Sequence, residues 1–110
     1  IRETAPEFMD LSVEKDIQYL FAMRYNIERE LSRIRDSRIG PQAIRIFVPI
    51  SQLIHTLIQA EVIEPQFGNI IKNVYAVCSP AIHGETVTDS QIKFVKDVAS
   101  KLISALRSIK

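Results

Sequence analysis

The side chains with the greatest capacity for chemistry in this 110-residue chain are His83, Arg24 and Glu28. An imidazole titrates near neutral pH, so His83 is a candidate general acid or base. In the alternative interpretation His83 only ends a helix, where it meets exposed carbonyl groups and Gly84 supplies a left-handed cap. The second interpretation is favoured, because no other catalytic group lies near His83 in the sequence.

Arg24 and Glu28 are four residues apart, which places them one turn apart on a helix and on or beside its apolar stripe. Charged groups at such a boundary are usually paired, so the sequence predicts a salt bridge that fixes the helix register. A second hypothesis is a polar pocket of Arg24, Glu28 and His83 that receives a ligand or the side chain of a partner.

The remaining candidates indicate no familiar chemistry. Cys78 falls within an apolar stripe and is predicted to be a small buried hydrophobe. Two separate histidines and one cysteine make a metal site unexpected, and no cofactor is predicted. Arginines between Arg29 and Arg45 are interpreted as a solvated helix face, with weak contact to RNA or anionic lipid as the alternative. The net charge of +1 argues against a chain built around attraction to nucleic acid or anionic membranes.

Apolar residues at steps of three and four predict helices that position these side chains. The first long stripe consists of Ile17, Leu20, Arg24, Ile27, Leu31 and Ile34, and the last of Ile92, Val95, Ala99, Leu102, Leu106 and Ile109. Pro49 and Pro65 can each open a shorter helix, and Pro80 is expected to end or kink the second of these. Thr88 and Gln91 form a capping-box pattern.

The sequence therefore predicts an all-α fold, a compact four-helix bundle in which two long helices flank two short ones. Antiparallel packing of the long helices is expected. Residues 1–11 are predicted to be a linker or N-terminal arm, with Asp10 or Ser12 capping the first helix, and 12–110 a single helical domain. Gln42 to Val48 is interpreted as an irregular link.

The order of these features resembles the HEPN-like helical domains of bacterial proteins of unknown function, which often follow a membrane segment. The likeness spans about Asp16 to Ser108 and is carried by LFAMRYNIEREL, PISQLIHTLIQAEVIEP and NVYAVCSPAIHGETVT. In HEPN ribonucleases an arginine five residues before a histidine forms the active site across a dimer. Here His83 matches the histidine, but Cys78 stands at the arginine position and Pro80 interrupts the motif.

The resemblance thus implies the fold and weakens an enzymatic interpretation, since a thiol cannot replace the charge of a guanidinium. We expect a non-catalytic binding or assembly module, cytoplasmic or at the cytoplasmic face of a membrane, and part of a larger protein. Self-association or docking to another protein is expected, with a membrane reached only through an upstream segment. The alternative is an RNA-cleaving or nucleotide-binding domain centred on His83. Surplus apolar residues motivate the association: Ile44, Ile46, Phe47, Val48 and Ile63.

Overall fold

The structure is a computed structural model that describes residues 14–41 and 48–110. It contains the helices α1 (Lys15–Arg38), α2 (Ile50–Gln59), α3 (Pro65–Ile82) and α4 (Asp89–Ser108). No strand occurs within these two ranges. The predicted all-α, four-helix architecture is therefore confirmed.

Several predictions fall outside the described residues: the arm at 1–11, the caps Asp10 and Ser12, and all of the link at 42–48 except Val48. In the described part of the chain α1 has Glu14 at its N-cap position, and Asp16 is the acidic residue of its first turn. Pro49 and Pro65 stand at the starts of α2 and α3, as predicted. The capping box of Thr88 and Gln91 opens α4.

α3 is longer than expected because Pro80 does not end it. The helix runs for 18 residues and continues to Ile82. Pro80 lies in the last turn, where its missing N–H removes a single helical hydrogen bond. Its carbonyl oxygen accepts hydrogen bonds from the backbone nitrogens of His83 and Glu85, each at 3.0 Å. Gly84, with φ of 77°, then turns the chain away, which completes a Schellman cap.

α1 and α3 form the central pair of the bundle. Each packs against all three other helices, whereas α2 and α4 lie on opposite sides of this pair and do not touch one another within the described residues. The core between them is aliphatic, and its fully buried large side chains come from all four helices: Leu20, Ile27, Leu31, Ile34, Ile54, Leu57, Ile71, Val74, Val95 and Leu106. The predicted stripes of α1 and α4 therefore face the core.

α1 and α4 run parallel, so the expectation that the long helices pack antiparallel is wrong. Near the start of α1, Asp16 Oδ1 accepts from Lys96 Nζ at 2.7 Å. Near its end, Arg33 Nη2 donates to the carbonyl oxygens of Leu106 and Ile109, at 3.0 and 2.9 Å. A guanidinium at the carboxyl end of a helix meets unpaired carbonyls and the negative end of the dipole. These contacts favour the parallel arrangement.

α2 crosses the first turn of α3 at Gly68, which is buried. A Cβ placed on Gly68 would lie 2.8 Å from Ile58 Cδ1 and 3.1 Å from Ile54 Cγ2. Both distances are shorter than ordinary carbon contacts. The absence of a side chain at Gly68 therefore lets α2 approach the backbone of α3, and the residue that weakens the helical pattern in the sequence fixes a helix crossing in the structure.

Candidate functional site

Arg24 and Glu28 meet Tyr75 of α3 in a three-residue cluster between the central helices. The Nε atom of Arg24 donates to the hydroxyl oxygen of Tyr75 at 2.9 Å and to Glu28 Oε2 at 3.2 Å. The Tyr75 hydroxyl in turn donates to Glu28 Oε2 at 2.6 Å. The guanidinium carbon also lies 5.2 Å from the centre of the Tyr75 ring, within cation–π range. We call these three side chains the Arg24 cluster.

The electrostatics of the Arg24 cluster raise the pKa values of both Tyr75 and Arg24. Burial raises the pKa of Tyr75, the hydrogen bond to Glu28 raises it further, and Arg24 acts in the opposite direction. Burial lowers the pKa of Arg24, but the interactions with Tyr75 and Glu28 outweigh this effect and the pKa is raised. The phenol therefore stays protonated and the guanidinium charged, which is the combination that the three hydrogen bonds require.

The Arg24 cluster joins α1 to α3 by hydrogen bonds and thereby stabilises the packing of the two helices. The side chains of Arg24 and Glu28 are 24% and 41% exposed, so they lie at the edge of the core and not inside it. The predicted ion pair is confirmed, and Tyr75 is the partner that sequence reasoning missed. One signal pointed to it: a tyrosine beside the apolar stripe of α3 needs a hydrogen-bond partner for its hydroxyl.

Replacing Tyr75 by phenylalanine should lower the free energy of unfolding by about 1 to 2 kcal/mol, because Arg24 and Glu28 each lose a partially buried hydrogen bond. Urea denaturation followed by circular dichroism measures the change. Tyr25→Phe is the matched control, since Tyr25 lies one position from Arg24 on the exposed face of α1. An equal loss of unfolding free energy in both variants would contradict a stabilising role of the Arg24 cluster.

His83 does not join the Arg24 cluster. It is the exposed C-cap residue of α3, eight positions after Tyr75, or about 12 Å further along the helix axis. No hydrogen bond or ion pair within the described residues connects His83 to Arg24 or Glu28. The helix-end interpretation of His83, with Gly84 as the left-handed cap, is confirmed as geometry. A catalytic role for His83 stays a prediction.

Cys78 is fully buried in the core, as predicted. Burial raises the pKa of its thiol from the ordinary 9.0 to about 11, while the charge of Arg24 lowers it. At neutral pH the group is therefore an uncharged thiol and a poor nucleophile. The position at which the HEPN resemblance expects an arginine faces the core and not the solvent around His83.

A second polar cluster joins the carboxyl ends of α1 and α4. Glu30 is buried and accepts from Arg33 Nε at 2.8 Å, with Arg107 Nε 3.7 Å from its other oxygen. Ser37 donates to the carbonyl oxygen of Lys110 at 2.9 Å. Arg33 was interpreted as part of a solvated basic face, but its donors are used inside the chain. The basic stretch therefore presents less free charge than its sequence indicates.

An apolar groove runs along the outer seam between α3 and α4. Phe67 and Ile70 form one wall, Val98 and Leu102 the other, and Lys101 lies at the rim of a hollow of about 210 Å³. A second hollow of about 310 Å³ continues it toward the end of α4. That hollow is lined by these residues: Val62, Ile63, Glu64, Phe67, Ala105 and Ile109. We call the whole seam the α3–α4 groove.

Large hydrophobic side chains stand exposed at the α3–α4 groove. Ile70 is 43% exposed. Phe94 lines neither hollow, but it lies one turn before Val98 on the same side of α4 and is 38% exposed. The spacing of apolar residues places Ile70 in one buried stripe of α3 with Ile71 and Val74, and this prediction is wrong because Ile70 lies at the edge of the stripe, facing the groove. Of the surplus apolar residues, Ile63 is buried and Val48 packs against the core, so neither supplies an exposed surface for association. Ile44, Ile46 and Phe47 lie outside the described residues.

Phe21 and Tyr25 form a second exposed apolar patch on α1. Phe21 is 37% exposed, nearly the same fraction as Phe94. It lies on the side of α1 that faces away from α4, because the contacts of α1 with α4 come from Asp16, Glu30 and Arg33. Phe21 and Phe94 therefore lie on different surfaces of the domain and are exposed to nearly the same extent. Replacing each of them tests one surface.

Within residues 14–41 and 48–110, no three His, Cys, Asp or Glu side chains are grouped closely enough to hold a metal ion. In the same residues none of the helices combines the length and the apolar character that crossing a bilayer demands. Comparison of the chain with protein-family models, curated proteins and solved structures finds no match.

Proposed function

We propose that this domain is a non-catalytic assembly module that associates with a second copy of itself through the α3–α4 groove. The observation that carries the proposal is the row of apolar side chains along this groove, in which Ile70 is more than a third exposed, and Phe94, one turn before Val98 on α4, extends the row. No other part of the described chain covers them. Apolar patches rimmed by polar residues typically mark interaction surfaces on soluble domains.

The composition of the groove supports an interface over a ligand pocket. Its hollows are shallow and open to solvent, and the one between Phe67 and Leu102 exposes almost only apolar atoms. A small-molecule site usually adds a few converging polar groups. The HEPN resemblance agrees with pairing, because the members of that group that cleave RNA act as dimers. The cytoplasm is the proposed setting, since the one cysteine of the chain is free.

The test of association is the molar mass of the domain by light scattering and sedimentation over a wide concentration range. We expect a concentration-dependent dimer that Phe94→Ser weakens at least about tenfold, as for a central apolar contact. Phe21→Ser is the matched control and should leave the dissociation constant unchanged. A strict monomer at the highest concentration, or equal weakening by both variants, would overturn the proposal.

The non-catalytic part of the proposal has its own test. We expect neither the wild-type domain nor His83→Ala to cleave a mixed-sequence RNA. Cleavage by the wild type that disappears in a helical His83→Ala variant would establish the alternative, an RNA-cleaving domain centred on His83. Arg24 would then be the next residue to replace.

A further inference from the structure

We infer that the second copy pairs with the first through an antiparallel, twofold-symmetric contact between the two α4 helices. The twofold axis passes at the height of Ala99 along the helix. This inference rests on the proposed function and specifies the register of the same groove. It starts from charges at the groove rim. Lys101 lines the groove, and Asp97 lies one turn earlier on the same exposed side of α4.

A twofold axis at the level of Ala99 places each Asp97 opposite the partner's Lys101. Because an isologous interface repeats every contact, this pairing occurs twice. An axis one half-turn earlier, level with Asp97, would bring the two Asp97 carboxylates together and set Lys93 against the partner's Lys101. Like charges in direct opposition are strongly unfavourable across an interface. Charge therefore favours the axis at Ala99 over the axis at Asp97.

Side-chain size separates this register from an axis level with Val95, which would set Phe94 against the partner's Lys96. With the axis at Ala99, Phe94 lies opposite the partner's Ser104 and next to the partner's Ala105. Both are small, and Ala105 lines the second hollow of the groove. A large exposed ring thus meets a shallow, small-residue section of the facing helix. Packing of large against small side chains is what allows helices to approach to about 8 to 10 Å.

The dimensions of the surface fit a weak dimer. With Phe94 included, the groove residues of α4 span 15 positions from Phe94 to Ile109, so the groove extends for about 22 Å. Two adjacent helices present a face about 20 Å wide, or about 440 Å² in projection on each copy. Interfaces below about 1,200 Å² in total belong to weak or transient associations. A second copy seated along the groove is therefore expected to form a concentration-dependent dimer.

The experiment reverses the charges singly and together. Asp97→Lys and Lys101→Asp should each weaken the dimer about tenfold, because each creates two like-charge pairs. The double variant restores opposite charges and should return the dissociation constant to within about threefold of wild type. Lys93→Asp is the control: Lys93 donates to Asp97 within one helix but faces the uncharged Ala105 of the partner subunit. It should leave dimerisation unchanged.

Sedimentation at low salt, with helicity checked by circular dichroism, gives the dissociation constants of the wild type and the four variants. The register is supported if both single reversals weaken the dimer and the double variant recovers the wild-type dissociation constant. A dimer that Phe94→Ser disrupts but that tolerates every charge reversal overturns the register and leaves the proposed function standing. A wild-type domain that remains monomeric overturns the proposed function, and the register with it.

Discussion

The free energy of unfolding should fall by about 2 to 3 kcal/mol when Gly68 is replaced by valine, the largest effect we expect from a single added side chain. A Cβ at this position already lies 2.8 Å from Ile58 Cδ1. Valine adds two further carbons at a position whose Cβ already lies 3.1 Å from Cγ2 of the fully buried Ile54. The helices α2 and α3 must therefore separate or their side chains must leave favourable rotamers.

Gly68→Ala separates the effect of helix propensity from the effect of steric contact at this position. Alanine gains about 1 kcal/mol in helix propensity over glycine, and its single methyl group meets mainly the mobile end of Ile58. We therefore expect it to change stability by less than about 1 kcal/mol. Combining Gly68→Val with Ile58→Ala should recover part of the lost stability, because removing the Ile58 side chain makes room for the valine methyl groups. Additive losses in the double variant would show that the crossing is not the cause.

Stability should also decline by about 2 kcal/mol between pH 9 and pH 11 because of Cys78. The folded chain keeps the thiol proton until its pKa of about 11, whereas the unfolded chain loses it near 9.0. Unfolding in this range therefore releases a proton, and rising pH favours the unfolded state. The difference between the two pKa values corresponds to about 2.7 kcal/mol once the pH exceeds both.

Other groups contribute in the same direction, so the measurement must isolate Cys78. The raised pKa of Tyr75 and the raised pKa of Lys96, which is held by its hydrogen bond to Asp16, also make stability fall with pH. Urea denaturation at several pH values on the wild type and on Cys78→Ala gives the difference. That difference should shrink steadily above pH 9, while a constant gap would contradict a buried neutral thiol.

The helices were predictable from sequence because their signals are local. The stripe from Ile17 to Ile34 has helical spacing, and Thr88 with Gln91 bonds across a single turn. Burial of the stripe follows from the hydrophobic effect and requires no knowledge of the partner helix. Of the candidate site, the pairing of Arg24 with Glu28 was predictable for the same reason, since both lie on one helix.

What sequence could not supply were the contacts between distant elements. Tyr75 joins Arg24 only because α1 and α3 pack in one particular register, and no local pattern encodes that register. The sequence pattern predicts that Arg33 is one more cation on a basic helix face, but its hydrogen-bond acceptors are carbonyl groups at the far end of the chain. A similar ambiguity affects Ile70: the stripe pattern assigns it a side of α3 but not which neighbouring helix covers that side.

The parallel pairing of α1 with α4 has a consequence for synthesis on the ribosome. Arg33 binds carbonyl groups 73 and 76 residues later in the chain, so α1 emerges long before its partner exists. At about 5 to 20 residues per second this gap lasts roughly 4 to 15 seconds. Of the described helices, α2 and α3 alone are available during that time to cover the apolar stripe of α1. We therefore expect chaperones to bind a nascent chain of this domain until the last turn of α4 has left the exit tunnel.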